Sequence, residues 1–320
     1  MAKAILTLLV FIAAKSVCGQ TIRDTSFSVY TAYAKALKNY PGISIAAGIH
    51  SNEIKEQKDV VYCDLNGRKL LLDIFCPVDK AKSNGIAIII IHGGGWRSGN
   101  RAMHYPLAQS LCLQGYTCFT PEYRLSTEAL FPAAVFDIKA SIKWVRENAD
   151  AYNIGASKIT ALGFSAGGEI AAFVGTTAGI EKFEPKGCNN NFSSEVNAVV
   201  DIDGTLSFTH PESSEGNDSK KLSAATQWFG VAKKDSLALW EEASPLTHVS
   251  KQAPPALFIN SSVAPMHAGR DDYIKVLDEN NIYSEVHSFE NSPHTFCLFH
   301  PWFGPTVHCI DGFLKKVFMK

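Results

Sequence analysis

The apolar run Ile86-Ala87-Ile88-Ile89-Ile90-Ile91 does not alternate with polar residues. A strand with one wet face would alternate, so this run predicts a strand covered on both faces. Shorter apolar blocks at 116–120, 159–162, 198–202 and 256–260 predict further buried strands. Between them the period changes. Val135, Ile138, Ile142 and Val145 recur at spacings of three and four, which predicts an amphipathic helix over 133–148. Helices are also expected over 103–114, ending near Gly115, and over 165–177, 271–279 and 311–318. Upstream, apolar segments 60–65 and 69–76 flank Asn66-Gly67, a strong hairpin signal. Residues 284–290 read as the last strand. A hairpin followed by alternating strands and helices implies the α/β class, with a mainly parallel central sheet and helices on both faces.

Two stretches lack a clear period. Residues 20–57 read as an N-terminal extension with one short helix around 30–38. Residues 203–221 are irregular and polar, and 222–239 partly helical. They form a short insertion after the sixth strand, expected to be a lid or wall over a site. With neither repeat nor low-complexity linker, residues 20–320 are expected to form one domain.

Residues 1–19 read as a cleaved secretory signal: Lys3 supplies the positive end, 4–14 are apolar, and Val17-Cys18-Gly19 precede Gln20. The stretch is too short for an ordinary membrane span. Export would put the mature protein in a secreted or periplasmic location. The 30 basic and 31 acidic residues argue against nucleic acid or an anionic membrane as a main partner. The sequence leaves the oligomeric state open. The 8 cysteines include no C-x-x-C pair, and Cys63, Cys76 and Cys118 lie in apolar strand-like runs, where a buried free thiol is the default.

The candidate chemistry sits at strand ends. Gly163-Phe164-Ser165-Ala166-Gly167 follows one buried run and opens a helix, the G-x-S-x-G pattern in a strand–turn–helix setting. Its glycines allow a turn sharp enough to project Ser165 as a nucleophile. The 86–91 strand runs into His92-Gly93-Gly94-Gly95-Trp96. There the backbone N–H groups of Gly94 and Gly95, with that of Ala166, are candidate donors to a developing oxyanion. A phosphate cradle does not fit, since neither G-x-x-x-x-G-K-[ST] nor G-x-G-x-x-G is present. Ser165 needs a base, and His294, in the loop after the last strand, is the candidate. His287 lies mid-strand, while His300 and His308 come too late.

The third member of a triad is less direct. The acid commonly follows the penultimate strand, but 260–267 contain no carboxylate. Asp203, directly ending the preceding strand, is the first candidate, ahead of Asp271 and Glu212. Arg270 stands beside Asp271 and would neutralise it. No metal or cofactor is expected: His210, His267 and neighbouring acids lack a ligand spacing such as H-E-x-x-H.

These motifs, with Glu122-Tyr123-Arg124-Leu125 and Ser292-Pro293-His294, give a resemblance to the α/β-hydrolase carboxylesterases, in particular bacterial acetyl-xylan, feruloyl and pectin esterases. The resemblance runs from about Val60 to the C-terminus. It implies an α/β-hydrolase fold and serine-dependent hydrolysis of a small ester or acylated polysaccharide. Trp96, Tyr123, Trp228, Trp240, Trp302 and Phe303 could serve as platforms for sugar rings, or pack in the core. Two alternatives stay open: a serine peptidase or amidase on the same fold, and a non-catalytic carbohydrate-binding relative.

Overall fold

A computed structural model describes residues 24–189 and 191–319; the expected leader at 1–19 lies outside them. Ten strands are found among the described residues: β1 (Ser44–Ile45), β2 (Ile54–Leu65), β3 (Arg68–Pro77), β4 (Ala87–Ile91), β5 (Thr117–Pro121), β6 (Ile159–Phe164), β7 (Ala198–Ile202), β8 (Ala256–Asn260), β9 (Ser284–Ser288) and β10 (Phe299–His300). Eight form one sheet in the order β2-β3-β5-β4-β6-β7-β8-β9. The β2–β3 and β3–β5 pairs are antiparallel, and every pair from β5–β4 to β8–β9 is parallel. The separate β1–β10 pair ties the N-terminal extension to the segment after the last strand of the large sheet.

The helices are α1 (Val29–Ala36), α2 (Tyr105–Cys112), α3 (Ala133–Glu147), α4 (Ala166–Thr176), α5 (Ala224–Phe229), α6 (Leu237–Glu242), α7 (Pro245–His248), α8 (Arg270–Glu279) and α9 (Phe303–Phe318). The isoleucine run shows why the sheet is sandwiched. Ala87, Ile89 and Ile91 join a core with α3, α4 and α8, whereas Ile86, Ile88 and Ile90 join a second core with α1, α2 and α9. Side chains alternate across a strand, so apolar residues at every position require a covering layer on each face. This is the architecture expected from the sequence, insertion after the sixth strand of the large sheet included; it occupies 203–255 between β7 and β8.

Two details depart from expectation, and a third decides between two readings. Cys63 is not a free buried thiol but is disulfide-bonded to Cys188, with Cα atoms 5.5 Å apart. The Cys63 run on β2 gave no hint of this, because the partner lies in a loop with no period of its own. The last helix starts at Phe303, several residues before expected, because Phe303, Thr306 and Ile310 already turn one face into the core. Finally, Trp96, Tyr123, Trp228 and Trp240 are core side chains, each at most 4% exposed. Trp302 and Phe303 pack with α1 and α2 in the other core. The aromatic-platform reading fails for the buried four, since large rings contribute more to the core than to a wet surface.

Candidate active site

Ser165 stands between the end of β6 and the first turn of α4 with φ +56° and ψ −121°, a backbone conformation that side-chain-bearing residues rarely adopt. Its N–H donates to Ile202 O at 2.8 Å and its carbonyl accepts from Glu169 N at 3.0 Å, which anchors both sides of the turn. The flanking glycines are sterically required. A Cβ on Gly163 would collide with the carbonyl of Gly167, and one on Gly167 with the carbonyl of Ile91.

His294 reaches this turn from the loop after β9. Its Nε2 is 2.8 Å from Ser165 Oγ, across 129 residues of chain. Its Nδ1 is 2.9 Å from Asp203 Oδ2. The ring also packs on Phe164, with centroids 5.0 Å apart. Asp203, at the end of β7, is 1% exposed. Its other oxygen accepts the Ser261 N–H at 2.8 Å, and its own N–H donates to Ile259 O at 3.0 Å. Three consecutive parallel strand ends therefore shape the line: β6 presents the hydroxyl, β7 the carboxylate, and β8 the amide that orients that carboxylate.

The other candidate acids do not reach the imidazole. Asp271 is exposed and paired with Arg270, whose Nε and Nη2 lie 2.9 and 2.8 Å from Oδ1. Glu212 accepts from Gly269 N at 3.2 Å and lies 3.3 Å from His210 Nδ1. His210 also approaches Asp272 at 3.4 Å. Burial and the Arg270 charge push the His267 imidazole below its usual range. Among the described residues no three His, Cys, Asp or Glu side chains converge as metal ligands.

The glycine-rich segment lies against the serine turn. A Cβ on Gly93 would come within 2.7 Å of Phe164 O and 3.1 Å of Ser165 Cβ, so only glycine permits this approach. Gly94 and Gly95 have φ +126° and +61°. The N–H groups of Gly94, Gly95 and Ala166 meet no acceptor among the described residues. The segment is braced from below. Tyr123 donates its hydroxyl to His92 O at 2.9 Å and stacks on the His92 ring at 4.4 Å. Arg124 locks that neighbouring loop to α3 through Asp137, with Nη2–Oδ1 at 2.7 Å and Nε–Oδ2 at 2.9 Å.

Chemically, an imidazole between a hydroxyl and a buried carboxylate can take the hydroxyl proton, because the carboxylate fixes its orientation and stabilises its charged form. Several neighbouring residues carried no signal in the sequence: Ser261 and Ser262 are hydroxyl residues in a loop, and Glu169 reads as an ordinary helix acid.

Residues 72–268 match the family model described as BD-FAE. Similar curated proteins include Esterase LipC of Mycobacterium tuberculosis, 28% identical over 261 residues covering 77% of this chain and 62% of that protein. Esterase LipQ of the same organism is 29% identical over 234 residues, covering 72% and 53%. The chain therefore spans between about half and three fifths of the length of these relatives. Among solved structures, a truncated carbohydrate esterase from gut microbiota superposes with a TM-score of 0.72 at 25% identity, covering 86% of this chain and all of that one. The Est2 esterase of Thermogutta terrifontis superposes with a TM-score of 0.66 at 22% identity, covering 83% and 93%, a likeness of fold.

Proposed function

The chain belongs to the BD-FAE family, and from that premise we propose that it is a serine carboxylesterase that removes small acetyl, methyl or feruloyl ester groups from plant polysaccharide. The observation that carries the reading is the continuous hydrogen-bonded line Ser165 Oγ–His294–Asp203 beside the Gly94-Gly95 backbone. A further support is the likeness to a carbohydrate esterase over the full length of that structure.

In this reading Ser165 attacks the ester carbonyl while His294 Nε2 takes its proton. The carbonyl oxygen becomes an oxyanion held by the N–H groups of Gly94, Gly95 and Ala166, each worth on the order of 3 kcal/mol in the transition state. His294 then protonates the departing alcohol, leaving an acyl-serine. Water, deprotonated by the same imidazole, attacks that acyl group; collapse expels Ser165 and releases the carboxylic acid. Asp203 keeps the imidazole in the orientation and tautomer both steps need. Where the bound ester is a methyl ester, the polysaccharide carries the acyl group and methanol leaves first.

The same proposal includes export, with removal of residues 1–19 and a single domain over 20–320. N-terminal sequencing of the mature protein should then begin at Gln20. The decisive assay incubates purified protein with acetylated xylan, methylated pectin and feruloylated arabinoxylan and measures released acetate, methanol and ferulate. Release of one or more, lost in Ser165→Ala, supports the reading. Hydrolysis of peptide amides with no release from any of the three would favour a peptidase or amidase. Saturable binding of the polymers without turnover would favour a non-catalytic carbohydrate-binding protein.

A further inference from the structure

Trp96 closes the glycine segment and is held in an unusual way. Its backbone has φ +56°, where a side-chain-bearing residue stays only if its surroundings hold it. The ring is buried and stacks nearly parallel on Trp228, centroids 4.7 Å apart. Its indole Nε1–H donates to Oε2 of Glu169 at 3.0 Å. Glu169 is itself fully buried, one turn beyond Ser165 on α4. Its other oxygen, Oε1, has no hydrogen-bond partner, and no cation pairs with it among the described residues.

This bond joins the two halves of the oxyanion site. Helix α4 carries the Ala166 N–H at its first turn and Glu169 just behind it. The Gly94 and Gly95 N–H groups sit on a separate segment that arrives from β4. The braces from Tyr123 to His92 O and from the Ser126 N–H to Trp96 O, at 2.9 and 2.7 Å, tie that segment to the loop after β5; the indole hydrogen bond ties its end directly to α4. On the reading of Ser165 as nucleophile, we propose that Glu169 is a positioning residue: its carboxyl holds the Trp96 indole N–H and so fixes the Gly94 and Gly95 N–H groups relative to Ser165 and Ala166.

The role asks only for a neutral acceptor. An ionised carboxylate in this setting would be buried with one weak donor and no counter-charge, which is costly. Burial, reinforced by nearby Asp201, pushes the Glu169 carboxyl well above the usual range and so favours the neutral acid. Its carbonyl oxygen accepts from the indole as well as a carboxamide oxygen would. Glu169 touches no reacting atom, and its contribution appears when the oxyanion forms. Its loss therefore lowers kcat and kcat/KM together, with KM little changed.

The test is steady-state hydrolysis of an aryl acetate by the full chain and four variants. Glu169→Leu leaves the indole N–H unpaired and should lower kcat about 10–100-fold, less than the 10²–10³ lost when an oxyanion donor is removed outright. Trp96→Phe removes the other end of the same bond together with part of the stacked ring, and should lower kcat by at least a similar factor. The Glu169→Leu/Trp96→Phe pair should fall no further than the worse single variant, because both delete one interaction. Glu169→Gln supplies a neutral acceptor and should restore kcat to within about threefold of the parent. Wild-type kcat in both Glu169→Leu and Trp96→Phe overturns the proposal, as does a Glu169→Gln enzyme as slow as Glu169→Leu. If Glu169→Leu does not fold, Trp96→Phe against Glu169→Gln decides alone. Fluorophosphonate labelling of the parent separates the two levels. An unlabelled Ser165 removes the nucleophile reading and this proposal with it, whereas a labelled Ser165 with kcat unchanged in the variants removes the proposal only.

Discussion

Ser262 donates its hydroxyl to the carbonyl of Ser292 at 2.8 Å and accepts the Ser292 N–H at 3.2 Å. The segment after β8, where a carboxylate was sought, is thus used to hold the loop that carries His294. Ser292 is fully buried and spends its own hydroxyl on Phe289 O at 2.7 Å. Ser262→Ala should leave both backbone groups of Ser292 without that partner, costing about 1–3 kcal/mol of stability. Thermal melts should show the loss, and ester hydrolysis should slow with KM nearly unchanged. A variant with wild-type melting and turnover would mean that the loop is held elsewhere.

Asp203 is the carboxylate that meets His294, so Asp203→Asn should reduce kcat by roughly 10⁴-fold, the scale expected when the imidazole loses its orienting acid. Asp271→Asn and Glu212→Gln should stay within about threefold of the parent, since both side chains point to other partners. Parallel kcat measurements on the three variants check this. A collapse in Asp271→Asn with Asp203→Asn intact would reverse the assignment.

A separate pH effect comes from Glu184, which pairs with Lys139 and Lys143 of α3. Burial raises the Glu184 carboxyl, but hydrogen bonds from Lys143 and Ser194 and the charge of Lys139 more than reverse this, lowering it from 4.5 to about 2. The distances are 2.7 Å to Lys143 Nζ, 3.0 Å to Lys139 Nζ and 2.6 Å to Ser194 Oγ. Because the folded value lies below the unfolded one, the stabilisation is complete above pH 4.5 and drains away as pH falls toward about 2. Glu184→Gln should therefore melt earlier than the parent at pH 7, and the gap should narrow through that acid window. A gap independent of pH would exclude the ion pairs as its source.

The Cys63–Cys188 bond closes a chain separation of 125 residues and ties β2 to the loop before β7. Replacing both cysteines by serine should cost about 2–5 kcal/mol, lowering the melting midpoint by roughly 3–8 °C in a chain of this size. Calorimetry of the double variant against the parent measures it.

Most of the fold was legible because its signals are local. An apolar run without alternation demands cover on both faces, and a three–four spacing demands a helix. The serine turn was legible for the same reason, since the turn at Ser165 admits only glycine at Gly163 and Gly167 and so writes itself into neighbouring residues. His294 could be placed from its position after the last strand. Asp203 could be ranked only as a candidate, because what selects it is the amide of Ser261 just past the adjacent strand β8, a contact across 58 residues. Glu169 and Ser262 were invisible for a similar reason. Each acts through one hydrogen bond to a distant segment, and an acid on a helix or a serine in a loop has many commoner uses. The tryptophans left two readings open, because aromatic content marks a core as readily as a binding surface; Trp96, Trp228 and Trp240 take the core one.

The central claim is that Ser165 is the nucleophile of an ester hydrolase. Its most direct test is peptide-mapped mass spectrometry of the protein after reaction with a fluorophosphonate probe, beside aryl acetate turnover. The account predicts a single adduct on the Ser165 peptide, absent in Ser165→Ala together with all turnover and formed far more slowly in His294→Ala. An adduct on another residue, or hydrolysis that survives Ser165→Ala, would contradict it.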